Sequence, residues 1–382
     1  MQCPRCLNTN KEFFYHGSRG WYCRKCISFG RRMLEEISEP ISLSTSTDGS
    51  EEYIMKYPLT RAQKEISKTC ASFIKEMDVL LFCVCGAGKT ELVLESIHQC
   101  LKQKKKVCFA IPRRQVVLEL QQRLSSYFPN AIVVAVCGGY TDITDGDLIV
   151  CTTHQLYRYY QAFDLLILDE PDAYPFKGNP VLHGIAKTSC KGHIIYLTAT
   201  PDQQLLKAVE RKEIACLTLN ERPHGHPLPV PVISIHTRFG MFIRLIQFLK
   251  KNQYKRIIVF VPTIRMANLL GDILKVMMDV SICTSKTANR DQIIERYRRK
   301  KSGVMIATTV LERGVTIPGV IICVYYAEHY VFDLSAQTQM AGRAGRTFEE
   351  PTGEVLFIQN ERSAISEKCI AMIKEANQGC VA

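Results

Sequence analysis

The six residues Cys85-Gly86-Ala87-Gly88-Lys89-Thr90 put glycines, a cation and a hydroxyl in the order that phosphate binding requires. Glycines at Gly86 and Gly88 let backbone N–H groups close around phosphate oxygens, with Ala87 between them. Lys89 then brings charge to the β and γ phosphates, and the Thr90 hydroxyl reaches Mg²⁺. The full eight-residue pattern begins with glycine, and here Cys83 stands in that place. Eighty residues beyond Lys89 comes Leu165-Leu166-Ile167-Leu168-Asp169-Glu170-Pro171-Asp172. Four apolar residues end in two carboxylates, where Asp169 would hold Mg²⁺ through water and Glu170 would polarise an attacking water. A lone Asp-Glu could open a helix or make a turn. Paired with the Lys89 loop, it reads as an ATPase.

A second kind of chemistry lies at the N-terminus. Cys3-Pro4-Arg5-Cys6 and Cys23-Arg24-Lys25-Cys26 are two Cys-x-x-Cys pairs, the spacing of a closed Zn²⁺ site with four thiolates around one tetrahedral ion. His16 lies between the pairs as a spare donor, but four thiolates already complete the shell. A segment this short buries too little core to fold alone, so metal binding would supply its folding energy. Residues 1–32 also carry a net charge of +6, half of the +12 of the whole chain. Phe13, Phe14, Tyr15, Trp21 and Tyr22 are interleaved with those charges. Cations beside aromatic rings suit single-stranded nucleic acid, with phosphates on the cations and bases on the rings. The plainer alternative makes the rings the finger's own small core.

These residues need elements to hold them. From Pro58 to about Arg222, short apolar runs alternate with amphipathic stretches: Val79–Val84, Lys106–Ile111, Ala131–Val136, Leu148–Cys151, Leu165–Leu168 and His193–Leu197 read as buried strands. Val116–Tyr127 has helical periodicity. The pattern predicts a parallel sheet covered by helices, with the phosphate loop opening a helix after one strand and Asp169–Glu170 closing another. Three prolines in Arg222–Pro229 can continue neither a helix nor a central strand, so residues 223–231 read as a connection. The alternation then resumes at Arg256–Val261, Val280–Cys283, Val304–Ala307, Ile321–Tyr326 and Glu354–Ile358. Ser38–Glu52, rich in Ser, Thr and acid, reads as a flexible linker.

The motifs, in order along nearly the whole chain, resemble superfamily 2 helicases, and in detail the ComFA family of bacterial late competence proteins, ATP-dependent motors of DNA uptake. In Leu59-Thr60-Arg61-Ala62-Gln63 the resemblance implies that Gln63 reads adenine. Ile111-Pro112-Arg113-Arg114 and Thr152-Thr153-His154-Gln155 resemble loops that grip a strand backbone, which makes Arg113 and Thr153 DNA contacts, with Thr309 a third. Leu197-Thr198-Ala199-Thr200-Pro201 resembles the motif coupling hydrolysis to movement through Thr198 and Thr200. Residues 307–316 and Gln339-Met340-Ala341-Gly342-Arg343-Ala344-Gly345-Arg346 resemble the two motifs of a second lobe. There Gln339 is a coupling residue, and Arg343 and Arg346 approach the γ-phosphate as arginine fingers. The last motif opens with Gln339 where many RNA helicases have His-Arg, a form that resembles DNA motors.

The expected fold is α/β: a four-cysteine zinc finger (1–32), a linker (33–57), a RecA-like ATP-binding lobe (58–222), a connection (223–231) and a RecA-like second lobe (232–382), with ATP between the lobes. ATP, Mg²⁺ and Zn²⁺ are the expected cofactors. The resemblance implies a translocase that drives single-stranded DNA into the cytoplasm during transformation, beside other competence proteins at the uptake channel, with homo-oligomerisation open. A replication-restart or RNA helicase, or a nucleic-acid scaffold switched by ATP, are the alternatives. The apolar run Val79–Cys85 is far short of a membrane span. The start Met1-Gln2-Cys3-Pro4 has no basic-then-apolar leader, so the 17 cysteines are expected in a reducing cytoplasm, if anywhere at a membrane then on its inner face. The basic runs Lys102–Lys106 and Arg296–Lys301 read as solvated.

Overall fold

Runs of Val, Leu and Ile without polar alternation cannot face water on either side, and here they form the inner strands of two parallel sheets. The computed structural model describes all residues except 36–38, 45–52, 313–316 and 379–382. The described residues fall into two compact units: Met1–Cys83 with Lys89–Leu219, and Val84–Gly88 with Asn220–Ala382.

The first unit opens with an antiparallel hairpin, β1 (Phe14–Gly17) and β2 (Gly20–Cys23). There follow α1 (Arg61–Phe73), β3 (Asp78–Cys83), α2 (Lys89–Leu92), α3 (Leu94–Lys102), β4 (Val107–Ile111), α4 (Arg114–Tyr127), β5 (Val133–Val136) and β6 (Leu148–Thr152). β7 (Phe163–Asp169), α5 (Pro180–Ser189), β8 (Cys190–Thr198), α6 (Gln203–Glu210) and β9 (Ile214–Leu219) complete it. The seven strands from β3 to β9 form one sheet in the order β5-β6-β4-β7-β8-β3-β9, all parallel. Because β8 lies between β7 and β3, the C-terminal ends of three neighbouring strands present Thr198, Asp169 and the start of the phosphate loop side by side. That edge is where open α/β sheets bind ligands.

The second unit holds β10 (Val232–Ile235), α7 (Arg238–Lys251), β11 (Arg256–Phe260), α8 (Ile264–Leu274), β12 (Val280–Cys283), α9 (Arg290–Arg299), β13 (Gly303–Ala307), β14 (Val320–Tyr325), α10 (Leu334–Ala341), β15 (Val355–Gln359) and α11 (Ala364–Gln378). Its sheet runs β10-β15-β14-β11-β13-β12, again all parallel, with a buried apolar cluster on each face. Both sheets have the RecA-like architecture that the sequence predicts.

Two edge strands, β9 and β10, add to those expected. Their residues are half-buried or exposed for most of their length, so they lack the unbroken apolar run that marks an inner strand. Lys106 is a correction: instead of closing a solvated run it is 5% exposed and paired with Asp147 at 3.2 Å. The run Arg296–Lys301 is tied down by ion pairs of Arg298 and Arg299 with Glu295 and of Lys300 with Asp279.

The finger does not hang free. Its four cysteines and Phe14 belong to the same buried cluster as Ile149, Phe163 and Leu182 of the first unit. Thr188 Oγ1 at the end of α5 donates to the Arg5 carbonyl at 2.8 Å. A Cβ on Gly184, inside α5, would lie only 2.1 Å from the Cys6 carbonyl oxygen. The expected flexible linker falls largely outside the described residues. Its described part, 39–44, runs along the first unit, where Ile41 N–H donates to the Tyr160 carbonyl and Ser44 N–H to Asp145 Oδ1.

Candidate nucleotide and metal sites

The phosphate loop needs a backbone that only glycine adopts cheaply, and Gly86 and Gly88 sit at φ +86° and +80°. Ala87, fully buried between them, donates its N–H to the Val84 carbonyl at 3.2 Å. Lys89 and Thr90 open α2, both half-buried. The Thr90 hydroxyl accepts from the Arg123 guanidinium of α4 at 2.5 Å, and the neighbouring Glu91 accepts from the Tyr127 hydroxyl at 3.1 Å. Burial and the Glu91 charge push the Tyr127 phenol up to about 12, so it stays a donor at neutral pH.

At the end of β7, Asp169 and Glu170 are half-buried, and Glu170 takes a left-handed backbone at φ +53° with its N–H held by the Leu197 carbonyl. The strongest local arrangement centres on a residue to which sequence reasoning gave no role. Asp172, 4% exposed, accepts from Thr198 Oγ1 and Thr200 Oγ1, each at 2.6 Å and each on a different carboxylate oxygen. Thr200 N–H returns a bond to Thr198 Oγ1 at 2.9 Å. The two residues expected to couple hydrolysis to movement are thereby joined to the segment bearing Asp169 and Glu170. The buried Thr198 hydroxyl demands an acceptor, and the carboxylate two residues after Glu170 was the signal available.

Gln63 is 4% exposed at the third position of α1, where it forms a capping box: its N–H donates to Thr60 Oγ1, and its Oε1 accepts from Thr60 N–H. The spacing Thr60-x-x-Gln63 carries that signal in the sequence. Of the residues expected to touch DNA, Arg113 is half-buried just before α4, and Thr309 is half-buried in the short turn Thr309–Leu311. Thr153 is 2% exposed, and its hydroxyl meets no hydrogen-bond partner among the described residues, while His154 beside it is exposed. Arg313, Gly314, Val315 and Thr316 of the same expected set lie outside the described residues.

In the second unit, Gln339 on α10 accepts from Cys85 Sγ at 3.3 Å. Arg343 is 5% exposed, whereas Arg346 is half-buried with its stem beside Gly86: a Cβ there would lie 3.5 Å from Arg346 Cγ. The backbone carrying both arginines is held by Arg222, a residue read only as the start of a connection. Its guanidinium, 1% exposed, donates to the carbonyls of Cys85 at 2.9 Å, Gly342 at 2.9 Å and Ala344 at 2.8 Å, and also to that of Gly345. Burial pulls this group down to about 10, so it remains a cation at neutral pH. No sequence signal distinguishes such an arginine from a solvated one.

The four finger cysteines are 0–4% exposed and their sulfurs lie within 4.8 Å of one another. Cys3–Cys26 and Cys6–Cys23 are both 3.8 Å apart. A regular tetrahedron with metal–sulfur bonds of about 2.3 Å has sulfur–sulfur edges of about 3.8 Å, so the donor set fits Zn²⁺. Hydrogen bonds from the Cys26 and Cys6 thiols pull Cys3 below the usual thiol range, and the bonds with Cys3 and Cys6 push Cys26 above it. Among the described residues no cysteine is in a disulfide.

Of the finger's rings, Phe14 is core and Trp21 packs against the same cluster. Phe13 and Tyr15 are 37% and 51% exposed, and lie under Lys25 and Arg24. The two readings of the aromatics therefore divide by residue.

Residues 56–203 match the family described as the res subunit of type III restriction enzymes, and residues 240–348 the helicase conserved C-terminal domain. The chain is 32% identical over 393 residues to the competence protein ComFA of Streptococcus pneumoniae, covering 98% of this chain and 90% of that one. It is 31% identical over 402 residues to ComFA of Bacillus subtilis, covering 99% and 86%. In fold it is similar to S. cerevisiae Dbp5 bound to RNA and ADP BeF3, with a TM-score of 0.65 at 16% identity over 85% of this chain and 93% of that one. With helicase motifs along both units and likeness to two competence proteins over almost its entire length, the chain is an ATP-hydrolysing superfamily 2 helicase and belongs to the ComFA family.

Proposed function

We propose that this chain uses ATP hydrolysis to draw single-stranded DNA inward during natural transformation. The observation that carries this reading is the near full-length likeness to two competence proteins. The +12 net charge and the basic, aromatic finger support a strand partner. Lys89 and the glycine backbone bind the ATP phosphates. Thr90 and Asp169 hold Mg²⁺, Glu170 orients the attacking water, and Asp172 passes the state of that site to Thr198 and Thr200. Arg343 and Arg346 add positive charge at the γ-phosphate, and the four thiolates hold Zn²⁺. No described helix is long and apolar enough to cross a membrane, so work at its inner face, beside the uptake channel and other competence proteins, would rest on binding to them.

ATP turnover measured in parallel with single-stranded DNA, duplex DNA and RNA tests the proposal. Single-stranded DNA is expected to stimulate most, and Glu170→Gln to abolish that stimulation while nucleotide binding persists. Stronger stimulation by RNA would replace the DNA reading with an RNA helicase. Parent-level turnover in Glu170→Gln would remove the assigned chemistry.

A further inference from the structure

A buried cation needs a reason, because taking its charge out of water is costly and is repaid only by partners fixed in place. Arg222 is 1% exposed, and among the described residues its partners are carbonyl oxygens, with no carboxylate to neutralise it. Those carbonyls fall into two groups. Nε donates to Cys85 in the phosphate loop, whereas the two terminal nitrogens donate to Gly342, Ala344 and Gly345. Arg343 lies between the first two of those three acceptors, and Arg346 directly follows the last. All of these residues belong to the second unit.

Glycines make the close approach possible. A Cβ on Gly86 would lie 3.2 Å from Arg222 Nε, and one on Gly342 would lie 2.3 Å from Cys85 Cβ. A side chain at Gly342 would therefore hold the end of α10 away from the loop. His224, two residues after Arg222, adds a second hold on the same turn. His226 N–H donates to His224 Nδ1 at 3.1 Å, which leaves Nε2 to donate to the Gly345 carbonyl at 3.1 Å. If Arg222 served packing alone, an apolar side chain of similar volume would do as well with no charge to desolvate. What a guanidinium adds is rigidity. Its five donors stand at fixed angles in one plane, so it sets the spacing of the groups it joins, as a flexible ammonium cannot.

We propose that Arg222 is a positioning residue for hydrolysis: its guanidinium sets the distance between the phosphate loop and the backbone that carries Arg346, and it acts on turnover through Arg346. This rests on the reading above that Arg346 adds positive charge at the γ-phosphate.

A double-variant cycle on the full chain tests it, with ATP turnover measured at saturating oligothymidylate beside nucleotide titration and thermal unfolding. Arg222→Lys keeps the cation but can serve only some of the four carbonyls. Its kcat is expected to fall about ten- to hundredfold, the rate equivalent of one lost hydrogen bond to a charged group. KM for ATP, nucleotide affinity and Tm should stay close to the parent. In the Arg346→Ala background the same change should cost less than about threefold, because residues that act as a unit are not additive. Equal losses in both backgrounds would mean that Arg222 acts without Arg346, and would overturn the inference. A lowered Tm with weakened nucleotide affinity in Arg222→Lys would make the residue a packing element, which overturns it too. So would parent kcat in that variant, since the spacing would then not limit turnover. Parent turnover in Arg346→Ala alone would instead remove the reading of Arg346 on which the inference rests.

Discussion

Asp172 shows how much one side chain can fix. Two hydroxyls donate to it at 2.6 Å, the length expected of hydroxyls bonded to a charged carboxylate, and Asp172 itself is 4% exposed. Asp172→Ala would strand the fully buried Thr198 hydroxyl at about 1–3 kcal/mol and take an acceptor from the half-buried Thr200. A lowered Tm is therefore expected. Asp172→Asn keeps the size but offers one accepting oxygen in place of two. It should fold and bind ATP, yet lose about tenfold or more of its nucleic-acid-stimulated turnover. That follows if one hydrogen bond to a charged group, about 1.5–3 kcal/mol, is lost from the coupling, since about 1.4 kcal/mol is tenfold in rate. Parent turnover in Asp172→Asn would make the pairing structural only. Gln63 is the converse case: its role as a helix cap was written in Thr60-x-x-Gln63, and it constrains how that side chain can also meet a base.

At the scale of elements, α5 carries an oddity that the finger explains. A glycine inside a helix costs about 1 kcal/mol relative to alanine, so Gly184 needs a reason to stand in the middle of Pro180–Ser189. The reason is the Cys6 carbonyl, which leaves no room for a Cβ. Gly184→Ala, which would stabilise an ordinary helix, is expected here to lower Tm and to speed protease cleavage between the finger and α1. Zinc content should be kept, because the four sulfurs are held by the finger's own hairpin and turns. An unchanged or raised Tm would mean that the finger's seat is loose. The inner strands and the zinc donors were legible because each is a local pattern, an apolar run or a Cys-x-x-Cys spacing. The finger's seat, the Asp172 pairing and the Arg222 cluster join residues 26 to 183 positions apart, and nothing in a one-dimensional pattern marks such partners. The linker reading missed its contacts for the same reason. Composition near Ser38–Glu52 is that of a solvated chain, yet Ile41 and Ser44 find partners on the first unit.

Considered as a whole molecule, the residues expected to turn over ATP are divided between the two units. Lys89, Thr90, Asp169 and Glu170 belong to the first, and Gln339, Arg343 and Arg346 to the second, together with the glycines of the phosphate loop. Neither unit contains a complete set, so turnover should depend on both, and the two arginines are the residues whose loss should expose that dependence. They are not equivalent. Arg343 is 5% exposed beside the backbone that Arg222 holds, while Arg346 is half-buried, its stem near Gly86. A guanidinium that must reach a γ-phosphate needs freedom to approach it, and a half-buried side chain has more of that freedom than a buried one. Arg346→Ala is therefore expected to lower stimulated turnover by about 10³-fold, leaving Tm and adenine-nucleotide affinity close to the parent. Arg343→Ala should lower turnover and Tm together, because it removes a long side chain that is almost wholly buried. Steady-state turnover, nucleotide titration and thermal unfolding on the same two variants separate these outcomes. Loss of affinity with unchanged turnover in both would place the arginines outside the chemistry, and a Tm loss confined to Arg346→Ala would reverse the two roles.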